Sequence, residues 1–381
     1  MWARGFRPFF ALASLYGALA PLAFVAFVLG FAPAPASIPI VSWHGHEMVF
    51  GFAAAGIAGF LLTAVPNWTG LAPVVGARLA TLTALWVLGR VAMWSGSLLP
   101  GPIVALADAA FTVALAVALA ESLLAPEQRR NRVVLFSVAG LAGANLGFHA
   151  SALGWIPLSP SAWLRAGVGA IVVLLVVIGG RITPAFTQNA LLRERRQASV
   201  DARPEFSRAA MIAATIFALA SLVPGADLVR GVAAAVAGVC VWIALAGWRA
   251  EHTLGEPLLW SLHLGRAWLG AGLVAVAAAA AGWIPDTASL HFLTAGAIGT
   301  TILGVMMRVT LGHTGRPLEA LPGSGVALGL VSLGALLRIA AGYTGSSLWL
   351  PAALAFGAGF AFFAFRYGPF LLTPRPDGRP G

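Results

Sequence analysis

Lysine is absent from this chain. All 23 basic residues are arginine, set against 13 acidic ones, and charged residues make up only 9% of the 381 positions. A soluble domain carries roughly 25%, so the scarcity of charge excludes an ordinary water-facing surface. The single cysteine, Cys240, excludes a disulfide within the chain, and the lack of a CxxCH excludes covalent c-type haem attachment. There is no GxSxG elbow and no GxxxxGK[ST] loop. The net charge of +10 does not point to nucleic acid, because the arginines lie between apolar runs and no basic patch alternates with stacking aromatics. The N-terminus lacks a small-residue cleavage site, so its first apolar run reads as a retained span.

What the chain has is apolar length. Hydrophobic residues make up 59% of it, with 45 glycines and 24 prolines. Runs of about 20 residues, enough for a ~30 Å hydrocarbon core, fall near 8–30, 44–65, 77–99, 103–124, 131–152, 162–186, 206–223, 228–248, 257–282, 289–312, 323–342 and 347–371. This predicts an all-α polytopic membrane protein of twelve spans forming a single transmembrane domain. The divisions at Pro100-Gly101-Pro102 and Pro224-Gly225 separate two of the span pairs.

Arginine placement sets the expected orientation. Arg4, Arg7, Arg78, Arg129, Arg130, Arg132, Arg193, Arg195, Arg196, Arg203, Arg208, Arg249, Arg316, Arg375 and Arg379 fall on one side, and the loops 31–43, 153–161 and 283–288 have no Arg. Both termini are then cytoplasmic, with 373–381 a cytoplasmic tail. His44, His46, His149 and His291 lie near the outer face, and His263 and His313 near the inner one.

Spans 2, 6 and 10 align without gaps. His291 pairs with His46, Gly296 with Gly169 and Gly51, Arg308 with Arg181, and Gly315 with Gly70. The alignment suggests three parallel four-helix repeats, 1–124, 125–248 and 249–372, with His46 and His291 at equivalent places.

Ionisable groups at membrane depth point to function. In Trp43-His44-Gly45-His46-Glu47-Met48, His44 and Glu47 share a face at i, i+3 while His46 projects elsewhere. His149 has Asn145 four residues before it. Imidazole is the usual buried ligand for haem iron and for copper, and Glu47 or Asn145 could hold a ligand's second nitrogen. The outer histidines His44, His46, His149 and His291, with Glu47, are therefore candidate metal ligands. His263 and His313, with the basic residues Arg181 and Arg308, mark a second, inner site for a haem, a quinone or a lipid headgroup. Asp108, Glu121 and Arg90 read as partners between helices or members of a proton path, and Met306-Met307 as packing.

Phe6-Arg7-Pro8-Phe9-Phe10, Trp43 to Met48, Gly59 to Gly70, Gly179-Gly180-Arg181 to Asn189, and Leu311 to Pro317 together resemble the NnrS family, over essentially the whole chain. The resemblance implies a bacterial inner-membrane protein of nitric oxide (nitrosative) stress and denitrification, holding copper and one or two b-type haems. Nitric oxide, or another small diatomic ligand, is then the molecule expected to be bound or turned over, and a quinol or a periplasmic protein is the candidate electron donor. A looser, topological likeness is to the catalytic subunit of haem–copper oxidases and nitric oxide reductases, whose span 2 and span 10 histidines ligate a low-spin haem. By position these are His46 (or His44) and His291 here. Spans 6 and 7 lack that superfamily's metal-binding histidines, and His291-Phe292-Leu293 replaces its His-x-His, so copper would take other ligands, His44 with His149. A copper transporter or trafficking protein and a quinol-linked b-type cytochrome are the rival readings of the same histidines.

Overall fold

The computed structural model describes residues 1–35, 38–196 and 198–378; Arg379, used above for orientation, lies outside them. Each apolar run lies on a helix. In chain order these are α1 (Phe6–Val28), α2 (Ile40–Thr69), α3 (Gly76–Trp94), α4 (Gly101–Leu123), α5 (Arg132–Ala152), α6 (Pro160–Arg193), α7 (Pro204–Ala220), α8 (Asp227–Ala246), α9 (Pro257–Ala280), α10 (Asp286–His313), α11 (Ser324–Thr344) and α12 (Trp349–Arg366), followed by the short α13 (Gly368–Leu372).

Among the described residues, ten of these helices are long and apolar enough to cross a bilayer. The remaining two are α3 and α7. Helix α3 dilutes its apolar stretch with Arg78 and Arg90, and α7 has 17 residues and includes Arg208. Large side chains such as Leu106, Phe136 and Phe365 are exposed, as lipid-facing positions require. These features describe a multi-pass membrane protein. The two proline–glycine divisions fall at helix boundaries: Pro100 precedes α4, and Gly225, with φ +76°, turns the chain between α7 and α8.

The chain forms two compact units. The first comprises 1–167, 309–317 and 360–381; the second comprises 168–308 and 318–359. In the first unit, α4 packs on α3 and α5, and α1 on α2. The amide of Phe6 donates to Thr63 Oγ1 on α2 at 3.0 Å. Arg7, itself buried, donates to the carbonyls of Leu371 (2.6 Å) and Thr373 (2.8 Å), groups that the end of α13 would otherwise leave unbonded. Phe9 packs on Phe111 and Phe10 on Phe363. The N-terminal aromatic motif thus gathers α1, α2, α4, α12 and α13. In the second unit, α8 packs on α7 and α9.

Helices α2 and α10 share a backbone feature. A π-helical stretch opens directly after His46, over Glu47–Ala53, and directly after His291, over Phe292–Gly299. Past their C-terminal ends, Gly70 and Gly315 both turn left-handed, with φ +71° and +69°. Both coincidences fall at positions paired in the gap-free alignment. The third aligned helix, α6, is α-helical throughout.

A buried histidine–carboxylate centre

Five helices of the first unit bring ionisable side chains to one place. Helix α2 supplies His46 and Glu47, α3 supplies Arg90, α4 supplies Asp108, and α5 supplies Asn145 and His149, while Tyr16 enters from α1. His46, Glu47 and Asn145 are fully buried and Asp108 nearly so. The π-helical stretch matters locally. Its wider turn narrows the angle between successive side chains, and neighbours that an α-helix would splay both face the cluster.

His46 is the hub. Its Nδ1 lies 3.0 Å from Glu47 Oε1, and its Nε2 lies 3.0 Å from Asn145 Oδ1 and 3.0 Å from Asp108 Oδ2. His149 Nε2 stands 2.9 Å from that same Asp108 oxygen. Arg90 clamps the two carboxylates: Nη1 donates to Glu47 Oε1 at 2.5 Å and Nη2 donates to Asp108 Oδ1. Tyr16 donates to Glu47 Oε2 and accepts from Trp94 Nε1 at 2.7 Å. Asn145 Nδ2 donates to Thr112 Oγ1 at 3.4 Å.

Counting protons shows what this arrangement lacks. A neutral imidazole carries one N–H, yet both nitrogens of His46 face carboxylate oxygens. Two carboxylates against one guanidinium leave a formal charge of −1 in a buried place, which is costly unless offset. Protonating His46 or Glu47 offsets it, and so does a cation taking the lone pairs of the two Nε2 atoms. His46, Asp108 and His149 can each turn one ligand atom to a common point, all within 4.8 Å of one another. Ligand atoms around an ion with bonds of 2.0–2.2 Å stand about 3–4 Å apart, so small side-chain movements would bring these three atoms onto one ion. Two imidazoles and a carboxylate suit copper or zinc, and Glu47 already holds the second nitrogen of His46 as metal-bound imidazoles require.

Of the residues singled out from the sequence, the structure brings His46, Glu47 and His149 together. His44 is half-buried and stacks on Phe24, ring centroids 4.2 Å apart. Asn145 reaches His46 rather than His149. His291, in the second unit, is half-buried, and its Nδ1 lies 2.5 Å from the Thr287 carbonyl. That contact places the proton on Nδ1 and leaves Nε2 with its lone pair, the tautomer of a ligating histidine. His263, also in the second unit, has Nε2 2.9 Å from Thr187 Oγ1. Arg308 lies over the Phe186 ring, 4.1 Å from its centroid. Arg181 is half-buried on α6. His313 belongs to the first unit, where its ring packs 5.8 Å from that of Phe6. Glu121 pairs on the surface with Arg78, at 2.6 Å.

Asp108 and Arg90 are central members of the cluster. Their signal in the sequence was a charge inside an apolar run, which marks them as unusual without naming a partner. Tyr16 and Trp94 gave no signal, being ordinary residues of amphipathic interfaces.

The fold and this centre define a polytopic, all-helical membrane protein with a metal-binding type of side-chain cluster buried among its helices. A sequence model of the NnrS protein family matches residues 1–375, nearly the whole chain, and the chain belongs to that family. Membership supports a protein connected with nitric oxide stress. No match was found among functionally curated proteins.

Proposed function

We propose that this is an inner-membrane metalloprotein that binds or turns over nitric oxide, with copper held by His46, Asp108 and His149. The observation that carries the reading is the meeting of two buried imidazole Nε2 atoms on one carboxylate oxygen. Copper bound there supplies a one-electron couple and an open position for a small diatomic ligand. Arg90 fixes both carboxylates by donating to each. Glu47 holds His46 in one ring orientation and is itself oriented by Tyr16. The rings of Phe50 and Phe148, with centroids 4.9 and 4.7 Å from that of His46, wall the site with the apolar surface that an uncharged diatomic gas would cross.

Haem b is assigned to His291 in this proposal. The Nδ1–Thr287 contact leaves Nε2 available to iron, which fits that role. His46 serves the copper rather than the haem, because both of its ring nitrogens are already engaged within the first unit. His263, Arg181 and Arg308 of the second unit stay as candidates for a second haem, a quinol or a lipid headgroup; His313, in the first unit, is a candidate on its own, and His44 stays as a supporting residue of the outer site. The twelve apolar runs support twelve spans, and arginine placement supports cytoplasmic termini. The repeat of α2 and α10 is supported by their π-helical stretches, which start at aligned positions.

The test is metal and haem analysis of the detergent-purified protein, with reduced spectra before and after nitric oxide. The expected result is about one copper per chain, lost in the His46→Ala His149→Ala double variant, and b-type bands lost in His291→Ala. Copper uptake by cells without haem or any response to nitric oxide would instead favour metal trafficking.

A further inference from the structure

We infer that the second unit holds a carboxylate-type anion on the side edge of Arg266. Arg266 sits on α9, about 14 Å along the helix from Pro257, and only 3% of it is exposed. Its Nη1 donates to the carbonyls of Leu175 and Val176 on α6, at 3.1 and 3.4 Å. Its guanidinium lies 5.1 Å from the Trp248 ring centroid. These contacts account for one corner and one face of the group.

The opposite edge is unaccounted for. Nε and Nη2 are both buried and have no hydrogen-bond partner among the described residues. These two nitrogens present parallel N–H bonds, the fork that grips two oxygens of one planar anion. No carboxylate among the described residues lies within ion-pair distance of Arg266, so the protein itself supplies no counter-charge. A buried, unneutralised cation inside an apolar helix is among the most costly arrangements a membrane protein can hold. A bound anion resolves both the charge and the two unmade hydrogen bonds.

The surroundings favour one approach. A Cβ at Gly179 would stand 3.2 Å from Arg266 Cδ, so the glycine lets the side chain lie flat against α6. His263, one turn earlier on the same face of α9, packs near the same Trp248 ring. The hydroxyl hydrogen of Thr187 goes to the Thr183 carbonyl, so Thr187 accepts from His263 Nε2. His263 Nδ1 is therefore a buried lone pair, also without a partner. The fork of two parallel donors suits the two oxygens of a planar carboxylate rather than a spherical halide. The carboxylate would come either from a small free acid or from a larger bound molecule that carries one.

The test uses the full chain in mild detergent, as wild type, Arg266→Gln and Arg266→Lys, each checked for native helical content. Thermal unfolding is followed while sodium formate replaces sodium chloride at constant ionic strength. Native mass spectrometry of the same samples looks for a retained acid-bearing molecule. A saturable formate-induced rise in Tm in wild type, absent in Arg266→Gln and requiring at least tenfold more formate in Arg266→Lys, identifies a free small acid. No formate response, with a retained molecule present in wild type and lost in Arg266→Gln, identifies a carboxylate carried by a larger group. If Arg266→Gln does not fold, the wild type against Arg266→Lys decides by the same criteria. Equal formate responses in all variants, or neither response nor retained molecule in wild type, would overturn the inference.

Discussion

The imidazole rings of His46 and His149 lie 5.1 Å apart, edge to face, and both direct Nε2 at a single oxygen of Asp108. Side chains from three helices are thereby committed to one point. Replacing Asp108 with Asn keeps the shape but removes the charge. The expected outcome is loss of stoichiometric metal on purification, with helical content retained, measured by elemental analysis and circular dichroism on one sample.

Arg90 is the guanidinium clamped between the two carboxylates of this cluster. Arg90→Met leaves Glu47 and Asp108 buried without compensation. Breaking a buried pair in this way costs about 3–5 kcal/mol. The variant should unfold at markedly lower temperature in detergent, and a pH at which one carboxylate can protonate should recover part of the loss.

Glu47 does not belong to the ligand triad but holds His46 Nδ1 at 3.0 Å. Outer partners of this kind are worth roughly 10–100-fold in metal affinity. Glu47→Gln should therefore weaken copper binding by about that factor, read by competition with a chelator of known affinity, without abolishing it.

Gly51 lies in the π-helical stretch beneath the cluster. A Cβ there would stand 2.8 Å from Arg90 Nη1 and 2.8 Å from Tyr16 Cε1. Gly51→Ala should force Arg90 off its carboxylates and cost about 1–3 kcal/mol, the usual range for overpacking, together with reduced metal retention. Gly143 has open space around it, so Gly143→Ala serves as the matched control and should leave both unchanged.

Helices were legible in the sequence because a bilayer-length apolar run leaves the backbone few alternatives. Pro100-Gly101-Pro102 and Pro224-Gly225 punctuated them correctly for the same local reason. His46, Glu47 and His149 could be singled out because charge is expensive in such runs. Their arrangement could not. The i, i+3 rule paired His44 with Glu47, whereas the π-helical stretch turns His46 and Glu47 to the same cluster and leaves His44 stacked on Phe24. Nothing in the residue pattern announces where a helix widens. Asp108 and Arg90 were visible as misplaced charges, but which carboxylate meets which guanidinium depends on how α2, α3, α4 and α5 pack. Tyr16 and Trp94 were illegible, since an aromatic residue in an apolar helix is the ordinary case. The unpartnered edge of Arg266 likewise has no trace in the sequence, where the residue reads only as a charge inside an apolar run.

The most direct measurement is electron paramagnetic resonance of the oxidised, copper-loaded protein, comparing wild type with His149→Ala. The account predicts one Cu(II) signal with coupling to two imidazole nitrogens in wild type and to a single one in the variant. A protein that binds no copper, or a signal unchanged by removing both His46 and His149, would contradict it.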